Sequence, residues 1–185
     1  MEVIKTAIEG AVVLRPKVFP DARGYFFESF SQRRFDDAVG RHVEFVQDNE
    51  SCSCRGVIRG LHFQKGPHAQ SKLVRVTRGS VLDVGVDLRP DSPTFGKYVA
   101  VELSEENHLQ LFLPRGFAHG FAVLSETAVF QYKCDNYYAP ESEGAVAWDD
   151  PDIAVDWRIP AAEVILSEKD SRHPLLRDIK DSLVW

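Results

Sequence analysis

Arg59-Gly60-Leu61-His62-Phe63-Gln64, followed by Gln70-Ser71-Lys72-Leu73-Val74-Arg75-Val76, decides how this chain reads. Both stretches are apolar runs of β type, and they carry an arginine, a histidine and a lysine. A strand buries one face, and a charge pointing inward is costly unless it is used. A base, a rigid cationic fork and a second cation in so short a span suit proton removal beside a carbonyl whose developing negative charge must be held. Alternation along Val57 to Gln64 puts Ile58, Gly60, His62 and Gln64 on one face, and Leu61 and Phe63 on the other. Strict alternation sets Arg59 opposite His62, unless Gly60 marks a bulge that turns both inward. On this segment alone a hydrogen-bonded core histidine and a catalytic one both fit.

Working outward, the β pattern continues on either side. Gly10 to Val18 is β-rich, Phe19 to Gly24 reads as a turn, and Tyr25 to Phe30 as an aromatic strand. Lys72 to Thr77 precedes a turn at Arg78-Gly79. Ser80 to Leu88 then resumes, with Leu82, Val84, Val86 and Leu88 on one face and Asp83, Gly85 and Asp87 on the other. Tyr98 to Leu103, Leu109 to Leu113, Phe117 to Val123 and Ala128 to Cys134 complete the series. Helical periodicity is confined to Gln32 to Val39 and to a tail from about Ser167. Many strands at short spacing predict an all-β sandwich, barrel or jelly roll. With 185 residues, no linker and no repeat, the chain is expected to form a single domain, 1–185.

A net charge of −6 argues against wholesale nucleic-acid binding, though a local basic pocket can still take a phosphate. Cys52 and Cys54 lie too close for an ordinary bridge, and Cys134 is alone. Reduced thiols and a cytoplasmic setting are expected. The start, Met1 to Lys5, shows no basic stretch leading into an apolar one, and no apolar run approaches membrane-spanning length.

Other residues carry chemistry less sharply. Lys72 shares its face with Val74 and Val76, and Asp83 on the next strand could keep it charged. Pro114-Arg115-Gly116 feeds a strand on which Phe117, His119, Phe121 and Val123 share a face, so His119 is either buried or lines a pocket. Tyr132 aligns with Ala128, Phe130 and Cys134; a core tyrosine is the ordinary reading, and a phenol that hands its proton to a carbanion is the functional one. Gln47-Asp48-Asn49 reads as loop. In Ser167-Glu168-Lys169-Asp170, either Ser167 caps a helix or Asp170 folds back to orient a histidine.

The two histidine motifs resemble the two boxes of the cupin jelly roll. A metal-binding cupin would place a second histidine where this chain has Gln64, and a glutamate near Lys72. Lysine is a cation with donors only and cannot replace an anionic ligand. No metal is therefore expected.

More closely, the chain resembles the cupin-type dTDP-sugar epimerase family, the 3,5-epimerases of the rhamnose pathway. The matching pieces are Phe19 to Glu28, Gln47-Asp48-Asn49, Arg59 to Gln64, Lys72, Pro114 to Phe121, Tyr132-Lys133-Cys134 and Leu166 to Asp170. The resemblance implies a double-stranded β-helix jelly roll with short peripheral helices. It also implies a cofactor-free isomerase acting at C3 and C5 of a dTDP-4-keto-6-deoxy sugar. In this likeness His62 is the base, Asp170 holds its tautomer, Lys72 stabilises the enolate at C4, and Tyr132 returns a proton from the other face. Arg59 and His119 would lie by the sugar and diphosphate. Phe19, Arg23, Glu28, Gln47, Asp48 and Asn49 would take the nucleotide, and Glu143 and Lys169 would complete the set. A homodimer is implied, with the N-terminal strands and the Arg23 to Glu28 segment reaching the neighbouring subunit. Readings kept beside it are a mono-epimerase or keto-isomerase, a non-enzymatic sugar-nucleotide binder and, last, a metal-dependent dioxygenase cupin.

Overall fold

Alternating apolar and polar side chains give thirteen strands in a computed structural model that describes residues 1–185. In chain order these are β1 (Glu2–Lys5), β2 (Val12–Arg15), β3 (Phe19–Asp21), β4 (Gly24–Phe26), β5 (Gln47–Cys54), β6 (Ile58–Gln64) and β7 (Lys72–Arg78). They continue with β8 (Ser80–Asp87), β9 (Tyr98–Ser104), β10 (Gln110–Leu113), β11 (Phe117–Val123), β12 (Thr127–Cys134) and β13 (Glu143–Ala145). Two short helices, α1 (Gln32–Val39) and α2 (Leu176–Ile179), lie at the periphery. One sheet has the order β1-β2-β10-β7-β12-β5 and the other β13-β6-β11-β8-β9, and β3-β4 forms a separate hairpin. The jelly roll expected from the sequence is the architecture observed.

The inner faces of the two sheets pack on each other. Val74, Val76, Leu111 and Phe130 from the first meet Val81, Leu103, Phe117, Phe121 and Val123 from the second. The Phe121 and Phe130 rings stack at 4.2 Å between centroids. Along β8 the expected alternation holds: Leu82, Val84, Val86 and Leu88 face outward. There they are covered by the C-terminal segment through Ile153, Trp157, Leu176 and Leu183. On the outer face of the first sheet, Phe35 of α1 seals Leu14, Leu73 and Phe112.

Where structure and sequence reading differ, the reasons are local. The Phe19 to Gly24 turn is a hairpin whose tip is Ala22-Arg23, and only Gly24–Phe26 of the expected Tyr25 to Phe30 strand is regular. Gln47-Asp48-Asn49 opens β5 instead of forming a loop, because β12 pairs with it from Cys134↔Gln47 to Thr127↔Cys54. β5 is an edge strand, so its polar composition costs little. The tail from Ser167 is helical only in short turns at Asp170–Arg172 and Lys180–Ser182 and in the single turn of α2. It is held as a strap: Ile165 bonds to both sides of Val57, through Ile58 N–H (3.1 Å) and Gly56 C=O (2.9 Å). Trp185 Nε1 donates to Leu88 O at 3.0 Å.

Asp87 ends β8 fully buried, and its carboxylate accepts hydrogen bonds from Arg89 Nε (2.8 Å), Arg89 Nη2 (2.8 Å), Ser92 Oγ (2.5 Å) and Thr94 Oγ1 (2.7 Å). Burial works against its ionisation, but these donors outweigh it and bring the pKa down to about 2. A depressed carboxyl stabilises the fold above its unfolded pKa and loses that contribution as pH falls through the folded value. Asp87→Asn is expected to cost roughly 2 kcal/mol at pH 7. Thermal melts of the variant and the parent, run from pH 7 downward, should converge as pH approaches 2; a gap that stays constant would contradict this.

Candidate active site

β6 carries one residue more than its neighbour needs. His62 pairs with His119, but the next partner of Phe121 is Arg59, so three steps along β6 match two along β11. Gly60 makes this possible. It has φ +130°, and a Cβ there would lie 2.5 Å from Gly120 Cα. The bulge moves Ile58 to the outer core with Leu61 and Phe63, correcting the simple alternation that grouped it with His62. It also turns Arg59 toward the first sheet, where the exposed side chain donates from Nε to Ser53 Oγ of β5 at 3.1 Å.

His62 lines a cavity of about 280 Å³ between the sheets, shared with Lys72, Tyr132, Cys134, Gln47, Asn49, Tyr138 and Glu143. His62 stands on the second sheet; Lys72 and Tyr132 stand on neighbouring strands of the first, with Tyr132↔Val74 and Cys134↔Lys72 in register. The imidazole and the phenol therefore occupy opposing walls. Lys72 Nζ lies 5.8 Å from the centre of the Tyr132 ring.

The strap delivers Asp170 to the imidazole: His62 Nε2 to Asp170 Oδ1 is 2.6 Å. The other carboxylate oxygen accepts from Ser167 Oγ at 2.6 Å, and Asp170 N–H donates back to Ser167 Oγ at 3.0 Å. Both readings of this segment are thus realised, the turn cap and the histidine partner. Burial opposes the charge on Asp170, yet the bonds from His62 and Ser167 prevail and lower its pKa to about 2. A permanent carboxylate on Nε2 fixes the proton there and leaves Nδ1 as the free lone pair. Burial lowers the Lys72 pKa, with Cys134, Asp83 and Glu143 acting against the fall. Burial raises the Tyr132 pKa, which keeps the phenol protonated at neutral pH. The cavity therefore joins a base, an ammonium and a proton donor on facing walls, a set for enolising a ketone.

His119 lies one strand from His62, buried, and its Nε2 is 2.8 Å from Asp83 Oδ1. Gln64, at the place of a second cupin histidine, has its amide fully engaged: it donates to His68 O (2.7 Å) and Tyr137 O (3.1 Å) and accepts from Ala139 N–H (2.8 Å). It anchors the turn that carries Tyr138. At the rim, Glu143 accepts from Lys169 Nζ at 2.5 Å and from Tyr138 OH at 3.1 Å. Gln47 and Asn49 face the cavity and join through Gln47 Nε2 to Asn49 Oδ1 at 3.0 Å. Asp48 alternates to the outer face, where Lys133 Nζ holds it at 2.9 Å. Phe19, Arg23 and Glu28 line no part of this cavity; Arg23 pairs with Asp21 and Glu28 with Arg34 on the exposed hairpin segment.

Sequence reasoning passed over Tyr138 and His173. His173 is three residues beyond Asp170, with its ring 5.3 Å from that of His62 and both ring nitrogens buried without a partner. Each bond left unmade costs about 1–3 kcal/mol. The three-residue spacing from Asp170 was the only sequence signal, and it lies in a polar tail with no periodicity to weigh it.

Burial pushes the Cys134 thiol up to about 11, with Lys72 pulling the other way. At pH 8 iodoacetamide is expected to label Cys134 in the folded protein about 100-fold more slowly than after unfolding in urea. Equal rates by peptide mass mapping would show that the cavity wall is open there.

Residues 5–178 match the family model described as dTDP-4-dehydrorhamnose 3,5-epimerase. A protein of that name from Salmonella typhimurium is 55% identical over 177 residues, 95% of this chain and 96% of its own length. The crystal structure of the dTDP-4-dehydrorhamnose 3,5-epimerase of Elizabethkingia anophelis superposes with a TM-score of 0.93 at 55% identity, over 96% of this chain and 97% of the other. The dTDP-6-deoxy-D-glucose-3,5-epimerase of Legionella pneumophila, solved with dTDP-4-keto-L-rhamnose, gives 0.95 at 48% identity over 99% and 96%.

Proposed function

Because the chain belongs to the dTDP-4-dehydrorhamnose 3,5-epimerase family, we propose how its own residues epimerise C3 and C5 of dTDP-4-dehydro-6-deoxy-D-glucose to give dTDP-4-dehydro-L-rhamnose, in dTDP-L-rhamnose biosynthesis. The C4 ketone acidifies the hydrogens on both neighbouring carbons. His62 Nδ1 removes one of them, and the electron pair moves into the C4 carbonyl to make an enolate. Lys72 holds the oxygen as its charge develops, when a cation in a low-dielectric cavity acts most strongly. Tyr132 then protonates the same carbon from the other wall, which inverts it. Once His62 has released its proton to water and Tyr132 has regained one, the second carbon follows the same course. The substrate's ketone is the electron sink, so no step calls on a cofactor. The observation that carries this reading is the placement of His62 and Tyr132 on facing sheets around one cavity.

Asp170 keeps Nε2 protonated and supports the imidazolium once it forms. His119, fixed by Asp83, and Arg59 serve the sugar and diphosphate end, where a planar guanidinium suits paired phosphate oxygens. Gln47, Asn49, Glu143 and Lys169 complete the binding wall. Phe19, Arg23, Glu28 and the outward-facing Asp48 do not reach it within one chain, and a homodimer in which the hairpin of one subunit closes the cavity of the other accounts for the first three. Exposed Phe19, Tyr25 and Phe26 on that hairpin, at 50%, 60% and 70%, support such a contact. Residues 1–185 act as one domain in this scheme. No helix is long and apolar enough to cross a membrane, and three free thiols favour a cytoplasmic setting.

Turnover of the 4-keto sugar nucleotide in deuterated water, followed by NMR, is expected to place deuterium at both C3 and C5 of the product. Label at one carbon alone would make the protein a mono-epimerase. Label at neither would remove enolisation from its repertoire.

A further inference from the structure

We propose that His62, Asp170 and His173 together form an inhibitory site for one divalent transition-metal ion of the zinc, cobalt and nickel class. Their donor atoms all lie within 4.8 Å of one another. His62 Nε2 is 2.6 Å and His173 Nδ1 3.8 Å from the same oxygen, Asp170 Oδ1. The His173 side chain is only 8% exposed, and neither of its nitrogens has a partner in the protein. A buried imidazole whose two nitrogens find no protein partner, set against a carboxylate and a second imidazole, offers a ligand to a metal ion. Two imidazoles and one carboxylate form a donor set that these ions accept, with a fourth position left for water. Magnesium and calcium ask for six or more oxygens and are excluded.

The spacing is within reach of small side-chain movements. Bonds of 2.0–2.1 Å in a tetrahedral site separate the donors by about 3.3 Å. The His62–Asp170 pair must open by about 0.7 Å, His173 must close on Asp170 by about 0.5 Å, and the two imidazole donors, within 4.8 Å of each other, must close by up to about 1.5 Å. A second cavity, of about 480 Å³, reaches His173 beside Pro174 and Lys169 and offers an approach that leaves the sugar cavity clear. The charge of Lys169 there is already matched by Glu143.

The inhibitory sense follows from the tautomer and rests on the role proposed above for His62. An ion on Nε2 takes the position of the proton shared with Asp170. The ring's single proton then sits on Nδ1, whose lone pair was to accept the substrate hydrogen. Base and ion exclude each other. This site is unrelated to the cupin metal set, which Gln64 and Lys72 have broken, and it is neither structural nor catalytic.

Untagged protein, stripped with EDTA, is titrated with Co²⁺, and the visible d–d bands of a four-coordinate ion are recorded. Turnover is measured in parallel against Zn²⁺. The wild type is expected to bind one Co²⁺ per chain, to release it to Zn²⁺, and to lose at least nine-tenths of its turnover as Zn²⁺ fills the site. His173→Ala is expected to lose the bands and to need at least ten times more Zn²⁺ for the same inhibition, with its metal-free turnover kept. His173→Gln serves if circular dichroism shows the alanine variant misfolded. Absence of a 1:1 Co²⁺ complex in the wild type, or unchanged bands and inhibition in both variants, would overturn the site. Binding that leaves turnover intact would overturn the inhibition. A wild type inactive before any metal is added would count against the epimerase reading, while the Co²⁺ titration would still decide the site.

Discussion

One extra residue in β6 is the constraint on which the rest of the site depends. It inverts the alternation at Gly60, so that Ile58, Leu61 and Phe63 anchor the outer core, His62 lines the cavity and Arg59 turns toward Ser53 of β5. The close approach of Gly60 to Gly120 leaves no room for a side chain at that crossing. The strap then has a fixed target. Anchored at Ile165 and Trp185, it passes behind β6 and brings Asp170 to the back of the His62 ring. His62 thus stands beside a bulge, lines the cavity and is held through Nε2 by the strap. Bulges beside active sites commonly serve to re-aim a side chain in this way.

The same sandwich sets the electrostatics. Burial moves Lys72 and Tyr132 in opposite directions, down and up, because each loses its charged form when water is removed. Cys134, Asp83 and Glu143 act against the fall at Lys72, and the phenol stays a donor. Asp170 remains ionised because the bonds from His62 and Ser167 outweigh its desolvation. The burial that excludes water is also what strengthens the electrostatic interactions inside.

Much of this was legible in the sequence. Many short strands at close spacing announced the sandwich, and α1 spans the residues its periodicity marked, Gln32 to Val39. Gly60 was legible as a bulge because a glycine interrupting an apolar strand next to charged residues has few other uses. Other features were hidden for physical reasons. Gln47-Asp48-Asn49 looked like loop because an edge strand that lines a cavity needs no apolar face. The strap showed no usable period because its short turns are held by tertiary bonds and not by helical propensity. His173 was invisible because its surroundings come from β6 and from Asp170, which only the fold brings together. Phe19, Arg23 and Glu28 entered through resemblance, and nothing in one chain's geometry draws them to His62.

The opposed placement of His62 and Tyr132 is most directly tested with Tyr132→Phe in deuterated water, by following recovered substrate and product separately. Without the phenol, His62 should still take the hydrogen and return a deuteron to the same face. Deuterium is therefore predicted to enter recovered substrate faster than epimerised product appears. If exchange into substrate and epimerisation were to fall together, or if inversion ran at the wild-type rate, the two side chains would not be working from opposite sides of the sugar.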